Sequence, residues 1–307
     1  MKILVVGAGA LGSFICGVLS KKHDVTILCK PKYFEKLKKN GIKISGKTKF
    51  TAHPKVIRKV SNQKLDLINQ EPDLIIIAVK SYDTNSAMKQ IAPIIGKNTI
   101  VLTLQNGLGN VECISKYVDA DRILDGVTSH GLTLISNCEV YHAGIGYTII
   151  GTLSGEITED CKKVCEAFTS VKIPASPTDN SAGERWAKTI VNAGINPLTA
   201  LTGLTNGYLL KIPALTKMLE QTCLECITVA NAAGIKLPKY DIVEKTKQVA
   251  RDTSNNKSST LQDIEKGRRT EIDAMNGAIV KIGKKYGVEL PINSALVALI
   301  NTMGQKR

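Results

Sequence analysis

The sequence predicts an α/β chain in two parts: a doubly wound, mostly parallel sheet over residues 1–179 and an all-helical domain over 180–307. Three observations predict it. Short apolar, largely β-branched runs at 2–6, 24–29, 74–79 and 99–104 alternate with helix-like text, as strands covered on both faces do. A glycine turn, Gly7-Ala8-Gly9-Ala10-Leu11-Gly12, follows the first run and opens a helix. After Asn180 the apolar residues recur with helical period and no convincing strand is evident.

The elements follow in order. The strand at 2–6 passes through the glycine turn into an apolar helix, and a second strand reads at 24–29. A helix with Lys and Glu on its outer face covers 32–39 and stops at Gly41. The stretch 64–70 is extra length with no evident role. Beyond the strand at 74–79, the run Ser81–Thr84 supplies cap candidates for a helix to about Ile91, just before Pro93. The strand at 99–104 leads to Gln105-Asn106-Gly107 and another helix. Runs at 123–129, 132–134, 139–142 and 147–150 read as short strands, taken together as an antiparallel extension of the sheet. A helix covers 157–168, and Pro174 and Pro177 mark a polar crossing into the second domain.

Composition excludes several classes of function. With 43% hydrophobic and 22% charged residues the chain is globular, and 307 residues are enough for two cores. A balance of 41 Lys+Arg against 27 Asp+Glu gives +14 and favours anionic partners. The lysines are spread, with clusters such as Lys36, Lys38, Lys39 and Lys281, Lys284, Lys285 that read as solvated helix ends. Aromatics at 4% argue against base-stacking platforms, so no nucleic-acid partner is expected. Eight cysteines make no disulfide scaffold. Cys161/Cys165 and Cys223/Cys226 have helix-face spacing without histidine, which predicts apolar packing and no metal. Reduced thiols suggest a cytoplasmic protein. Glycines interrupt the apolar run in 1–22, so it does not read as a signal peptide, and the uncharged stretch 189–210 is too polar for lipid; no membrane association is expected.

The glycine turn has the context of a Rossmann-type dinucleotide site. Gly7 permits the tight turn, Gly9 lets the backbone approach a pyrophosphate, and Gly12 lets helix and strand pack closely. The helix start then offers N–H groups and a positive dipole end to phosphates. The second strand ends Leu28-Cys29-Lys30-Pro31-Lys32, without the acid that usually holds a ribose 2′-hydroxyl. Lys30 would instead neutralise a 2′-phosphate, which favours NADP(H) over NAD(H). Lys80 and Asn106 follow the next two strands, at the edge where ligands bind in such sheets.

In the helical part, Lys188, Asn192 and Asn196 recur every four residues. Each such step turns a helix by only about 40°, so the three share one stripe. Polar groups on an apolar helix are costly without partners. The stripe suits a small polyoxygenated substrate, or an asparagine ladder that satisfies neighbouring backbone.

The text resembles the ketopantoate reductase (2-dehydropantoate 2-reductase) family over essentially its whole length. The matching pieces are GAGALG at 7–12, Lys80, LQNGLG at 104–109, the K-x3-N-x3-N-P-L-T-A-L run at 188–201, Asn206-Gly207, and N-x2-S-T-L-Q-D-I…R-T-E-I-D at 256–273. The resemblance implies a 6-phosphogluconate-dehydrogenase-like fold and NADPH-dependent reduction of 2-dehydropantoate to (R)-pantoate, on the route to coenzyme A. It implies Lys188 as general acid, with Asn192 and Asn196 as the amides beside it. Asn206, Asn256 and Ser259 match substrate-binding groups. Glu271 matches the carboxylate that holds the substrate hydroxyl and adjoins the cofactor. Gly7, Ala8, Gly9, Ala10, Leu11, Gly12, Lys30, Lys80 and Asn106 match the cofactor site. Lys30 stands where the family commonly has Arg, a point charge in place of a bidentate fork, which relaxes the NADP preference. Two alternatives stay open: a reductase of another branched 2-oxo acid, and a non-catalytic dinucleotide sensor. A homodimer and inhibition by coenzyme A are further expectations.

One geometric condition follows. Ser259 and Glu271 are twelve positions apart, roughly 18 Å on a straight helix, too far to grip one small acid. A break is therefore predicted: a helix at 260–266, a turn at 267–269 with Gly267 as breaker, and a helix from about 271, started by Thr270 and Asp273. Dryness would lower the Lys188 pKa and a nearby Glu271 would raise it, a balance open at this level. His130 and His142 read as structural, Trp186 as packing between the domains, and Pro197 as a kink next to Asn196.

Overall fold

A computed structural model describes residues 1–58 and 71–305; the stretch 64–70 lies outside them. The chain forms two compact units, Met1–Gln105 with Asn110–Ser181, and Asn106–Gly109 with Ala182–Arg307.

The first unit runs β1 (Lys2–Val6), α1 (Ala10–Leu19), β2 (Asp24–Leu28), α2 (Pro31–Asn40), β3 (Ile42–Gly46), β4 (Phe50–Ala52), β5 (Lys55–Ile57), β6 (Leu74–Ile77), α3 (Thr84–Ile91), β7 (Ile100–Thr103), α4 (Asn110–Ile114), β8 (Ile123–Thr128), β9 (Gly131–Ser136), β10 (Glu139–Gly144), β11 (Thr148–Thr152), α5 (Glu159–Ser170) and β12 (Ala175–Pro177). An eight-stranded sheet has the order β12-β11-β8-β7-β6-β1-β2-β5. From β5 to β8 every pairing is parallel. The chain reverses direction in the sheet order at β1, which has β2 on one side and β6 on the other. One apolar cluster, with Phe14, Ile15, Leu19 and Phe168, covers one face of the sheet. A second, with Met88, Ile91 and Ile114, covers the other, so β6 and β7 are wholly buried, as their apolar text requires.

The expected antiparallel extension is corrected in part. β11 does pair antiparallel with β8, but β8 itself is parallel to β7, and β12 adds a parallel edge within the proline-marked crossing. β9 and β10 leave this sheet altogether. They join β3 and β4 in a second sheet of order β4-β3-β10-β9, which packs on α1. Its central pairing, β10 parallel to β3, joins segments nearly a hundred residues apart, a contact no local pattern announces.

The second unit is helical, as expected: α6 (Ser181–Thr202), α7 (Pro213–Ala232), α8 (Ile242–Asp252), α9 (Ser259–Glu265), α10 (Asn276–Lys285) and α11 (Pro291–Gln305), with 3₁₀ turns at Asn206–Leu210 and Ile272–Ala274. Trp186 is buried with Ile190, Leu219 and Val229 in this unit's core. Cys223 and Cys226 lie there too, and burial raises both thiol pKa values, that of Cys223 to about 12. α6 continues through Pro197. Proline removes the N–H that would reach the Ala193 carbonyl. That carbonyl is instead taken by the buried Asn276 amide, whose Nδ2 donates to it at 3.2 Å and to Asn293 Oδ1 at 2.9 Å. No helix among the described residues is long and apolar enough to cross a membrane.

Candidate active site

In the first unit the glycine turn forms a cradle out of missing side chains. Gly7 has φ +112°, closed to most L-residues. A Cβ on Gly12 would stand 1.9 Å from the Gly7 carbonyl oxygen, so only glycine lets α1 approach β1 this closely. A Cβ on Gly9 would meet nothing within 4 Å: the turn faces open space there. Gly9 is also the N-cap of α1, with no side-chain cap and no acid in the first turn, which leaves the helix start to an incoming anion. These features fit a pyrophosphate held by Gly7, Ala8, Gly9, Ala10, Leu11 and Gly12.

Lys30 and Lys80 stand just past β2 and β6, as N-cap residues of α2 and of the 3₁₀ turn Ser81–Asp83. Lys30 Nζ makes a 2.8 Å ion pair with Asp83, and that hydrogen bond raises the pKa of the exposed amine. Nothing in the sequence paired Asp83 with Lys30, because their proximity depends on β2 and β6 flanking β1.

The second unit gathers the polar candidates. Lys188 and Asn192 are half-buried on α6 and Asn196 is buried. Asn196 Nδ2 donates to Ser259 Oγ at 3.4 Å, across 63 residues, and lies 3.7 Å from Met275 Sδ. Asn206 Nδ2 donates to Thr253 Oγ1 at 2.8 Å, and its backbone N–H donates to the carbonyl of exposed Asn256. Asn206 Oδ1 is buried and has no partner among the described residues, so it is an acceptor in want of a donor.

Glu271 is buried. The predicted break before it is present: α9 ends at Glu265 and Gly267 has φ +60°. The restart differs. Glu271 heads a single 3₁₀ turn without a side-chain cap, and α10 begins only at Asn276, so Thr270 and Asp273 do not start it. Ser258 caps α9 instead: its Oγ accepts from the Leu261 N–H at 3.1 Å and from Thr199 Oγ1 at 2.7 Å. Asn106, half-buried, belongs to this unit. Its loop is tied to the Glu271 segment where the Leu108 N–H donates to the Ala274 carbonyl at 2.7 Å. A Cβ on Gly107 would stand 2.4 Å from that same oxygen, which explains the glycine after Asn106.

His130 immediately precedes β9 and His142 lies on β10, with Nδ1 of the first and Nε2 of the second 3.2 Å apart. The Gly146 N–H donates to His130 Nδ1, so His142 Nε2 carries the proton between the rings, and His142 Nδ1 accepts from Thr48 Oγ1. Both rings pack on Phe14 of α1, at 5.3 and 4.6 Å. Among the described residues no three His, Cys, Asp or Glu side chains are grouped to hold a metal.

Comparison with known proteins places the chain. Residues 3–155 match the ketopantoate reductase PanE/ApbA family, and residues 180–304 match the ketopantoate reductase PanE/ApbA C-terminal family. A protein of Pyrococcus horikoshii named 2-dehydropantoate 2-reductase is 36% identical over 303 residues, covering 98% of this chain and 96% of the other. The crystal structure of a PanE/ApbA family ketopantoate reductase from Ralstonia eutropha superposes with TM-score 0.89 at 29% identity, over 100% and 99% of the two chains. The ternary structure of D-mandelate dehydrogenase with NADH and anilino(oxo)acetate superposes with TM-score 0.93 at 26% identity, with the same coverage. The chain is an oxidoreductase and belongs to the ketopantoate reductase family.

Proposed function

We propose that the chain reduces 2-dehydropantoate to (R)-pantoate with NADPH, in the cytoplasm, on the route to coenzyme A. Residues 1–179 serve as the dinucleotide-binding domain and 180–307 as the substrate domain. The observation that carries the reading is the bond between Asn196 and Ser259: two residues singled out separately in the sequence meet across 63 positions. The tie between Leu108 and Ala274 supports it by bringing the Asn106 loop to the Glu271 segment.

The cofactor, when bound, supplies the hydride to the C2 carbonyl carbon. The residues then have distinct tasks. Lys188, as ammonium, stabilises the negative charge that grows on the carbonyl oxygen and gives it a proton. Glu271, as carboxylate, accepts a hydrogen bond from the substrate hydroxyl. Asn256 and Ser259 donate to the substrate carboxylate. Asn192 and Asn196 orient the lysine and the carbonyl, and Asn206 is a further polar group that binds the substrate. Gly7, Ala8, Gly9, Ala10, Leu11 and Gly12 hold the pyrophosphate, and Lys30, Lys80 and Asn106 complete the cofactor site.

A panel of 2-oxo acids, followed by loss of nicotinamide absorbance, tests this. Turnover of 2-dehydropantoate well above its analogues is expected. The full-length likeness to D-mandelate dehydrogenase favours one second reading, reduction of another 2-oxo acid, which preferential turnover of an aromatic or other branched member of the panel would establish.

A further inference from the structure

β2 and β6 are the two neighbours of β1, one on each side. Lys30 follows β2 and Asp83 follows β6, and the two side chains meet at 2.8 Å across 53 residues of sequence. Their ion pair therefore spans the strand end from which the glycine turn leaves. Among the described residues, Lys32 lies 5.0 Å from the Tyr33 ring centre, and Arg58, past β5, lies 5.2 Å from that of Phe34.

The Asp83 carboxylate has no duty in its own turn. It stands at the N-cap of α3 without a side-chain cap bond. Its N–H donates to the Lys80 carbonyl, and its carbonyl accepts from Ser86 Oγ, so the backbone is held independently of the carboxylate. An ammonium only donates hydrogen bonds and a carboxylate only accepts them. A ribose 2′-hydroxyl does both and suits the pair. A 2′-phosphate suits the ammonium but is repelled by the carboxylate.

We propose that Asp83 sets the cofactor preference: through its ion pair with Lys30 it supplies, from β6, the acid that β2 lacks, so the site takes dinucleotides with and without a 2′-phosphate. This rests on the dinucleotide reading of the glycine turn, but not on the identity of the 2-oxo acid.

Calorimetric titration of the full chain with adenosine 2′,5′-bisphosphate and with AMP tests it. In Asp83→Asn the preference for the bisphosphate over AMP should rise about threefold to tenfold, as removal of one partly exposed charge implies. In Asp83→Glu it should stay near the parent value, and in Lys30→Ala it should disappear. An unchanged preference in Asp83→Asn overturns the proposal, as does a full preference in Lys30→Ala. A parent chain that binds neither nucleotide overturns this proposal together with the cofactor reading. Nucleotide binding without turnover of any 2-oxo acid counts against the reaction alone, and the preference ratios still decide Asp83.

Discussion

The two units build their candidate sites by opposite means. In the first, the cradle consists of absent atoms: Gly12 exists so that nothing stands between α1 and the Gly7 carbonyl, and Gly9 faces open space. In the second, the site consists of polar atoms set into an apolar bundle, such as Asn196 and Asn206, each needing a partner. The difference teaches what each tolerates. Where backbone meets backbone, as at Gly12, any added side chain breaks the cradle, whatever its chemistry. A polar stripe fails when its chemistry changes, whatever its size.

Lys188→Ala should therefore have the largest effect, and one confined to turnover. Loss of the proton donor is expected to lower kcat about 10²–10⁴-fold. Nucleotide affinity, read by titration, should stay at the parent value, and a fully active variant would remove the lysine from the mechanism. Gly12→Ala should do the reverse. Its methyl meets backbone that cannot yield, for about 1–3 kcal/mol of stability by thermal unfolding. Nucleotide affinity should fall with it; unimpaired binding in a folded variant would break the contrast.

Asn276→Ala probes the second unit away from the chemistry. It strips the Ala193 carbonyl and Asn293 of a donor and should cost about 1–3 kcal/mol in chemical denaturation. A neutral result would mean that Pro197 needs no compensation.

The smallest effect is a pH dependence in the first unit. Burial, and next the neighbouring His142, hold the His130 pKa down to about 4, and burial lowers that of His142. The unfolded chain, with ordinary histidines near ~6.5, takes up protons first on acidification. Stability contributed by the neutral pair is thus complete above about pH 6.5 and is lost as pH falls toward about 4. Melting temperatures of the parent and of His130→Asn/His142→Asn across that window check the sign: the parent should lose more. Equal losses would place the acid sensitivity elsewhere.

Much of this was legible in the chain of letters, and for local reasons. The glycine turn, the buried strands of the parallel sheet, the helical second half and the break at Gly267 each follow from backbone sterics or periodicity within a few residues. The Lys188, Asn192 and Asn196 stripe is likewise set by helical geometry alone. What stayed hidden required distant segments to meet. β9 and β10 read as an extension of the first sheet because alternation cannot say which strand is the partner, and β3 was the answer. Pro197 announced an unsatisfied carbonyl but not Asn276 as its donor, 79 positions on. Lys30 was visible as a missing acid replaced by a base, whereas Asp83 became its partner only once β2 and β6 closed on either side of β1. Sequence by itself determined where the backbone bends and which faces are polar, because those depend on neighbours along the chain. Tertiary structure decided which polar group satisfies which, because a hydrogen bond or ion pair depends on distance in space, which the order of residues does not contain.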